Sequence, residues 1–297
     1  MKGWVNNVKK NRFEIDMCNG SIMDKLISFS LPLMVSGILQ LAFNAVDIIV
    51  VGRFSGSQAL AAVGSTTALI NVFTNLFIGI SLGANVLAAR FYAAGKDREM
   101  SETVHTSITL ALISGIMMAV IGVLLAKWAL EIMGTPDDVI GQSTLYMRIY
   151  FMGMPFFMLY NYGAAILRAI GDTKRPLIFL IISGIANAAL NMTLVILFHM
   201  GVAGVAIGTI ISQLISCVLV LTCLYRSEGS YQLRFSKLKI NGATWNRFSR
   251  WEFRRESRVR SSICPMHCCS LRLIHLDRLR WQAIQQRTIY LGSFICQ

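Results

Sequence analysis

Residues 27–51 read ISFSLPLMVSGILQLAFNAVDIIVV and hold a single charged side chain, Asp47. About 20 apolar residues in a helix cross the ~30 Å hydrocarbon core of a bilayer, so this run is long enough to span. Its apolar residues lie all round the helix and not along one stripe, which sets it apart from a helix packed on a soluble core. Lys9, Lys10 and Arg12 precede it as they would a signal peptide, but the run is too long for a signal core. Five comparable runs follow at 59–83, 106–128, 145–167, 177–198 and 203–225. The fold class expected is all-α: a polytopic membrane protein with a six-helix transmembrane bundle over 27–225. A segment at 1–26 precedes the bundle, a linker at 226–243 follows it, and a tail occupies 244–297.

Composition agrees. Of 297 residues, 55% are apolar and only 14% charged, where a soluble domain carries about a quarter charged. Mean hydropathy is +0.57. These values exclude a disordered chain, a secreted disulfide scaffold and most water-soluble enzymes. The net charge of +13 does not point to nucleic acid as a partner, because the basic residues fall between apolar runs and form no continuous stripe. They serve instead as topology signals, since cytoplasmic loops retain Lys and Arg. One side receives Lys2, Lys9, Lys10, Arg12, Lys25, Arg90, Lys96, Arg98, Arg168, Lys174, Arg175, Arg226, Arg234, Lys237 and Lys239; the other receives only Arg53, Lys127 and Arg148. The expectation is a multi-pass protein of the plasma (inner) membrane with both termini cytoplasmic.

From Thr244 the composition changes. Residues 244–297 contain ten Arg and no Lys, whereas the preceding 243 contain nine of each. Arg272, Asp277, Arg278 and Arg280 interrupt its one leucine-rich run, so no span is expected there. A lipid-binding basic domain is one reading, without a clean amphipathic period to support it. A zinc site from Cys264, His267, Cys268, Cys269 and His275 is another, but adjacent cysteines fit metal-ligand spacing poorly. The favoured reading is a shifted reading frame that replaced a more apolar continuation. Cys217 and Cys223, inside the sixth span, are expected to pack as small apolar residues.

Polar groups at membrane depth carry the functional signal, because each is costly there. Gln40, Asn44 and Asp47 follow at i, i+4 and i+7, hence on one helix face. Asp47 is the one acid well inside the spans. Ser183, Asn187 and Asn191 share a face of the fifth span, Thr209, Ser212, Gln213 and Ser216 one of the sixth, and Thr67, Asn71, Thr74 and Asn75 one of the second. Two readings fit these rows: the lining of a polar cavity, or interhelical hydrogen bonding. Gly204 and Gly208 form a G-x-x-x-G that suits close helix approach. The fourth span is rich in aromatic and Met side chains from Tyr150 to Tyr162, which suit either an adaptable pocket or ordinary packing.

Enzyme readings find little purchase. His105 and His199 stand at span ends, a two-carboxylate mechanism lacks its second acid, and no glycine loop for phosphate is present. A binding or transport role without catalysis or a cofactor is therefore expected.

Several short runs carry a family resemblance: Leu31-Pro32; Asp47 followed by Val51-Gly52-Arg53; Leu82-Gly83-Ala84-Asn85; Leu167-Arg168-Ala169-Ile170-Gly171-Asp172-Thr173-Lys174-Arg175-Pro176; and Gly201-Val202-Ala203-Gly204-Val205-Ala206. In this order and spacing the chain, over about residues 22–240, resembles the multidrug and toxic-compound extrusion (MATE) family. The resemblance implies two six-helix lobes exporting cationic or amphipathic compounds in exchange for H⁺ or Na⁺. It makes Asp47 the proton- or cation-coupling acid, with Asn187 and Thr209 its partners and Asn191 where some members carry a second acid. Gln40 matches a cavity residue, and Asn44 and Asn71 join it on the faces read above. Partners expected on this basis are a small-molecule xenobiotic, the bilayer, and either a second lobe or another copy of the chain. A lipid-linked precursor flippase of similar architecture is the runner-up, but the spans lack the basic residues its cavity would need. An inactive, truncated remnant is the other alternative.

Overall fold

The structure is a computed structural model that describes residues 22–227 and 229–234; within them, the side chains of residues 22, 68, 75–80 and 82 are not described. The tail at 244–297 and its cysteines and histidines lie outside the described residues, as do residues 1–21 and the side chain of Asn75.

Among the described residues seven α-helices follow one another: α1 (Ile22–Phe54), α2 (Gly56–Ala93), α3 (Asp97–Ile132), α4 (Asp137–Met152), α5 (Met154–Ala169), α6 (Lys174–Met192) and α7 (Gly201–Arg226), with a π turn over Thr193–Leu197 after α6. At 1.5 Å per residue α1 to α3 are each roughly 50 Å long, so they run past a ~30 Å core at both ends. Among the described residues, four helical stretches are long and apolar enough to cross a membrane: Met23–Phe54, Asp97–Ile132, Lys174–Leu197 and Gly201–Arg226.

The fourth pass differs from the single span expected at 145–167. It begins earlier, at Asp137, and breaks at Gly153 into two helices of 16 residues each. Pro155 explains the break. Its nitrogen has no hydrogen to donate and its ring crowds the carbonyl four residues back, so a helix restarts there in preference to continuing. The fifth pass likewise loosens into the π turn, directly after Asn191.

The main core lies where α3 meets α2, α4, α5 and α7. Phe151, Met154, Met158 and Tyr162 are buried in it with Met118, Leu130, Val220 and Leu224. Four members of the aromatic and Met set on the fourth pass are thus packing residues. A second apolar cluster joins Val50, Val51, Ala59, Val63, Tyr146, Val195, Val202 and Val205 beside the π turn. In a bilayer such packing is held by dispersion and shape, because lipid tails are as apolar as the side chains.

Most hydroxyls bond within their own helix, although Thr209 and Ser212 on α7 also accept from Asn187 on α6. Thr66, Thr67, Thr74, Thr103, Ser107, Thr109, Ser216 and others hydrogen-bond a carbonyl three or four residues back on their own helix. One hydroxyl pair bridges helices, Ser65 to Ser143 at 3.2 Å.

The basic loops share one end of the lobe. There Asp172, 0% exposed, accepts from the Arg175 backbone N–H at 3.1 Å and pairs with its Nε at 3.2 Å, holding the first turn of α6. After α7 the chain turns back under the helices, with Tyr231 and Leu233 buried. His105 receives it: the Arg234 backbone N–H donates to Nε2 at 3.1 Å while Nδ1 lies 2.7 Å from the Ser101 carbonyl. Only the tautomer with hydrogen on Nδ1 satisfies both.

Candidate functional site

Asp47 lies on α1, three residues before the second apolar cluster begins at Val50, and is half-buried. α1 reaches α6 closely because Gly184 carries no side chain: a Cβ there would run into the Phe43 ring. One turn after Phe43 on α1, Asp47 meets Asn191 on α6.

The contact is direct. Asn191 Nδ2 donates to Asp47 Oδ1 at 2.5 Å and also to Asn187 Oδ1 at 3.2 Å. Asn187 Nδ2 in turn faces the hydroxyls of Thr209 and Ser212, each at 3.4 Å. Those hydroxyls are themselves committed to α7 carbonyls, Thr209 to Val205 at 2.9 Å and Ser212 to Thr209 at 2.8 Å. A hydrogen-bonded network therefore links α1, α6 and α7, with Asn191 donating both to the carboxylate and to Asn187, and Asn187 donating to the α7 hydroxyls. Asn187 and Asn191 are buried, Thr209 half-buried. A carboxylate held by an amide donor keeps favourable hydrogen bonding away from water, where the bond counts for more than it would at a surface.

Asn191 spends both amide hydrogens in this way, and its buried Oδ1 has no hydrogen-bond partner. That oxygen rests against Gly208, where a Cβ would collide with it. Gly208 and Gly204 thus admit α6 against α7, as the G-x-x-x-G spacing anticipated: a Cβ on Gly204 would crowd Leu194 and Met200.

Two phenols complete the surroundings. Tyr146 and Tyr150 on α4 lie close enough to interact electrostatically with Asp47, their rings 6.1 Å apart, and the Tyr150 hydroxyl hydrogen-bonds Gln213. Tyr146 was invisible to the pattern of polar rows, because an aromatic in an apolar run reads as packing; its signal was the spacing of four from Tyr150.

The other expected residues stand apart. Gln40, Asn44 and Asn71 are exposed on α1 and α2. None of the three side chains makes a hydrogen bond among the described residues. Gln40 and Asn44 share a face of α1 with Asp47 without joining its hydrogen bonds. His105 is buried and structurally engaged, His199 sits in the turn after the π segment at φ 51, and no group of three or more His, Cys, Asp or Glu suited to a metal occurs among the described residues.

Comparison with known proteins places this arrangement. The "Probable multidrug resistance protein YoeA" of Bacillus subtilis is 34% identical over 221 residues, covering 73% of this chain and 47% of its own length. The "Probable multidrug resistance protein YpnP" of the same organism is 29% identical over 200 residues, covering 67% and 44%. The chain spans about half the length of these curated relatives. Among solved structures, "Crystal structure of MATE in the bent conformation" superposes with a TM-score of 0.73 at 21% identity, covering 79% of this chain and 52% of that one, which supports the fold. The MatE family model matches residues 32–193, more than half of the chain, and the chain belongs to the MatE family.

Proposed function

We propose that this chain is one lobe of a cation-coupled multidrug antiporter, and that Asp47 is its coupling group, acting with Asn187, Asn191 and Thr209. The observation that carries the reading is the 2.5 Å bond from Asn191 to the one acid well inside the spans. A carboxylate at membrane depth is a functional group by default, and here it accepts from a buried amide that is itself bonded to Asn187. Gln40, Asn44 and Asn71 line the substrate side as exposed polar groups on the adjoining face. The substrates are organic cations and amphipathic xenobiotics, the coupling ion is H⁺ or Na⁺, and no catalysis or cofactor is involved. The lobe sits in the inner membrane with its basic loops in the cytoplasm, and transport requires a second six-helix lobe or another copy to form the cleft.

The geometry supports a two-state element. With Asp47 ionised, the Asn191 amide presents Nδ2 to it and leaves Oδ1 without a donor. Once Asp47 is protonated its hydroxyl becomes a donor, and rotation of the amide offers Oδ1 as acceptor while surrendering the bond to Asn187. Protonation thus removes the charge that attracts a cationic substrate and re-pairs α1 with α6. Sodium suits the alternative arrangement, because the rotated amide, Asp47, Asn187 and Thr209 supply only oxygen ligands, which hard cations take.

Export of an organic cation from cells tests the role: Asp47→Asn should abolish it in the chain joined to a second lobe, and unchanged export removes Asp47 from the mechanism. The chain as given, assayed beside the joined form, shows whether the single lobe transports; activity in neither form leaves an inserted, inactive remnant as the right reading.

A further inference from the structure

At the basic end of the lobe, Arg168 closes α5 and is half-buried. Among the described residues no carboxylate pairs with it. The nearest acid in sequence, Asp172, is engaged with Arg175 instead, at 3.1 Å through the backbone and 3.2 Å through Nε. Among the described residues, the ionisable side chain it interacts with is the Tyr160 phenol. That phenol donates to the Pro176 carbonyl, in the first turn of α6, at 3.3 Å. At the head of the same turn stands Thr173, 1% exposed, whose hydroxyl has no hydrogen-bond partner and does not cap the helix. Lys174, the next residue, is exposed.

A guanidinium carries five N–H donors in a fixed fork that matches phosphate oxygens, and a half-buried one without a counter-charge is incomplete. The anion most abundant at this depth, where helices leave the hydrocarbon for the interface, is a phospholipid phosphate, and basic pockets between helices are where such headgroups bind. We propose that the turn from α5 to α6, with the unpaired Arg168 at its start and the exposed Lys174 at its end, forms a site for the phosphate of an anionic phospholipid. The site fills the missing counter-charge and joins the end of α5 to the start of α6. It rests on the membrane reading of the chain and is independent of Asp47.

The full chain, purified in neutral detergent and delipidated, is titrated with phosphatidylglycerol, with phosphatidylcholine and with inorganic phosphate, and binding is read by native mass spectrometry and by the shift in thermal unfolding. Phosphatidylglycerol should bind at least tenfold more tightly than phosphatidylcholine. Arg168→Gln should remove most of that preference, Arg168→Lys should keep part of it, since an ammonium is a point charge without the fork, and Lys127→Gln at the opposite end should leave it unchanged. Lys174→Gln, at an exposed position, should weaken it several-fold and stands in if Arg168→Gln does not fold. A wild-type chain with no preference, or an Arg168→Gln or Lys174→Gln chain that keeps all of it, overturns the site. Inorganic phosphate that protects as well as phosphatidylglycerol overturns the lipid as its source. A wild-type chain that shows no preference while the joined form keeps Asp47-dependent export marks failure of this site alone, and the preference without Asp47-dependent export marks failure of the transport reading alone.

Discussion

The bond between Asp47 and Asn191 joins residues 144 positions apart, so its strength can be measured as a coupling between two helices. Asp47→Ala and Asn191→Ala, singly and together, form the cycle. A hydrogen bond to a charged group contributes about 1.5–3 kcal/mol in soluble proteins. Interhelical bonds in membrane proteins average about 0.6 and reach about 1.7 kcal/mol, because the unfolded chain in the bilayer finds other partners. At 2.5 Å, with Asn191 buried and Asp47 half-buried, this bond belongs at the upper end, so a coupling of about 1.5 kcal/mol is expected, roughly tenfold in the folding constant. Asn191→Ala alone should cost about 2–3 kcal/mol, since it also strips Asn187 of a donor and opens a void beside Gly208. Part of that loss is offset because the partnerless Oδ1 disappears with the side chain. Reversible unfolding in mixed micelles, followed by circular dichroism against the fraction of denaturing detergent, gives all four corners. A coupling below about 0.5 kcal/mol, with both single variants folded, would refute a carboxylate–amide bond of the kind described.

Two further outcomes follow from close contacts. Gly208→Val places methyl groups where Asn191 Oδ1 rests; overpacking of this kind costs about 1–3 kcal/mol, and a loss below about 0.5 kcal/mol in the same unfolding assay would mean that α6 and α7 do not approach as closely as they do here. His105→Leu keeps a similar side-chain volume but removes the acceptor for the Arg234 N–H and the donor to Ser101; tryptic cleavage after Arg234 should quicken about tenfold, in line with the loss of about 1–1.5 kcal/mol of hydrogen bonding, and an unchanged rate would show that the segment after α7 is held by Tyr231 and Leu233 alone.

Much of the lobe was legible because membrane-spanning helices announce themselves by length and apolarity, which depend on composition and not on long-range pairing. The faces of Asn187, Asn191, Thr209 and Ser212 could be read for a related reason: spacing of three and four fixes the side of a helix, and an uncharged stretch leaves few sides to choose from. Which faces meet was not legible. Asp47 pairs with Asn191 on α6, and this depends on Gly184 and Gly208, which leave room where the Phe43 ring and the Asn191 amide arrive. The break at Gly153 was available in principle, since Pro155 stands in the run, but apolarity continues straight across it and hides the joint. The hydroxyl rows misled for a different reason. Ser and Thr at membrane depth find an acceptor on their own helix at no entropic cost of assembly, so a row of them records local satisfaction as readily as an interface.

The exposed amides bear on what the lobe requires. Gln40, Asn44 and Asn71 lie on passes that cross the hydrocarbon depth, yet they are exposed and unbonded among the described residues. An amide left to hydrocarbon without a partner costs several kcal/mol, and three such groups would exceed what helix packing in one lobe returns. Of the four stretches long and apolar enough to cross a membrane, the one on α1, which carries two of them, is the least enclosed, with 11% of its apolar window buried. Its apolar residues such as Leu31, Met34, Ile38 and Leu41 are content against lipid, but Gln40 and Asn44 are not, so the two sides of α1 face different surroundings. The amide side must meet water or protein. Asp47, at the edge of the amide face, is placed where that face meets the lobe's own interior, bonded to Asn191 on α6.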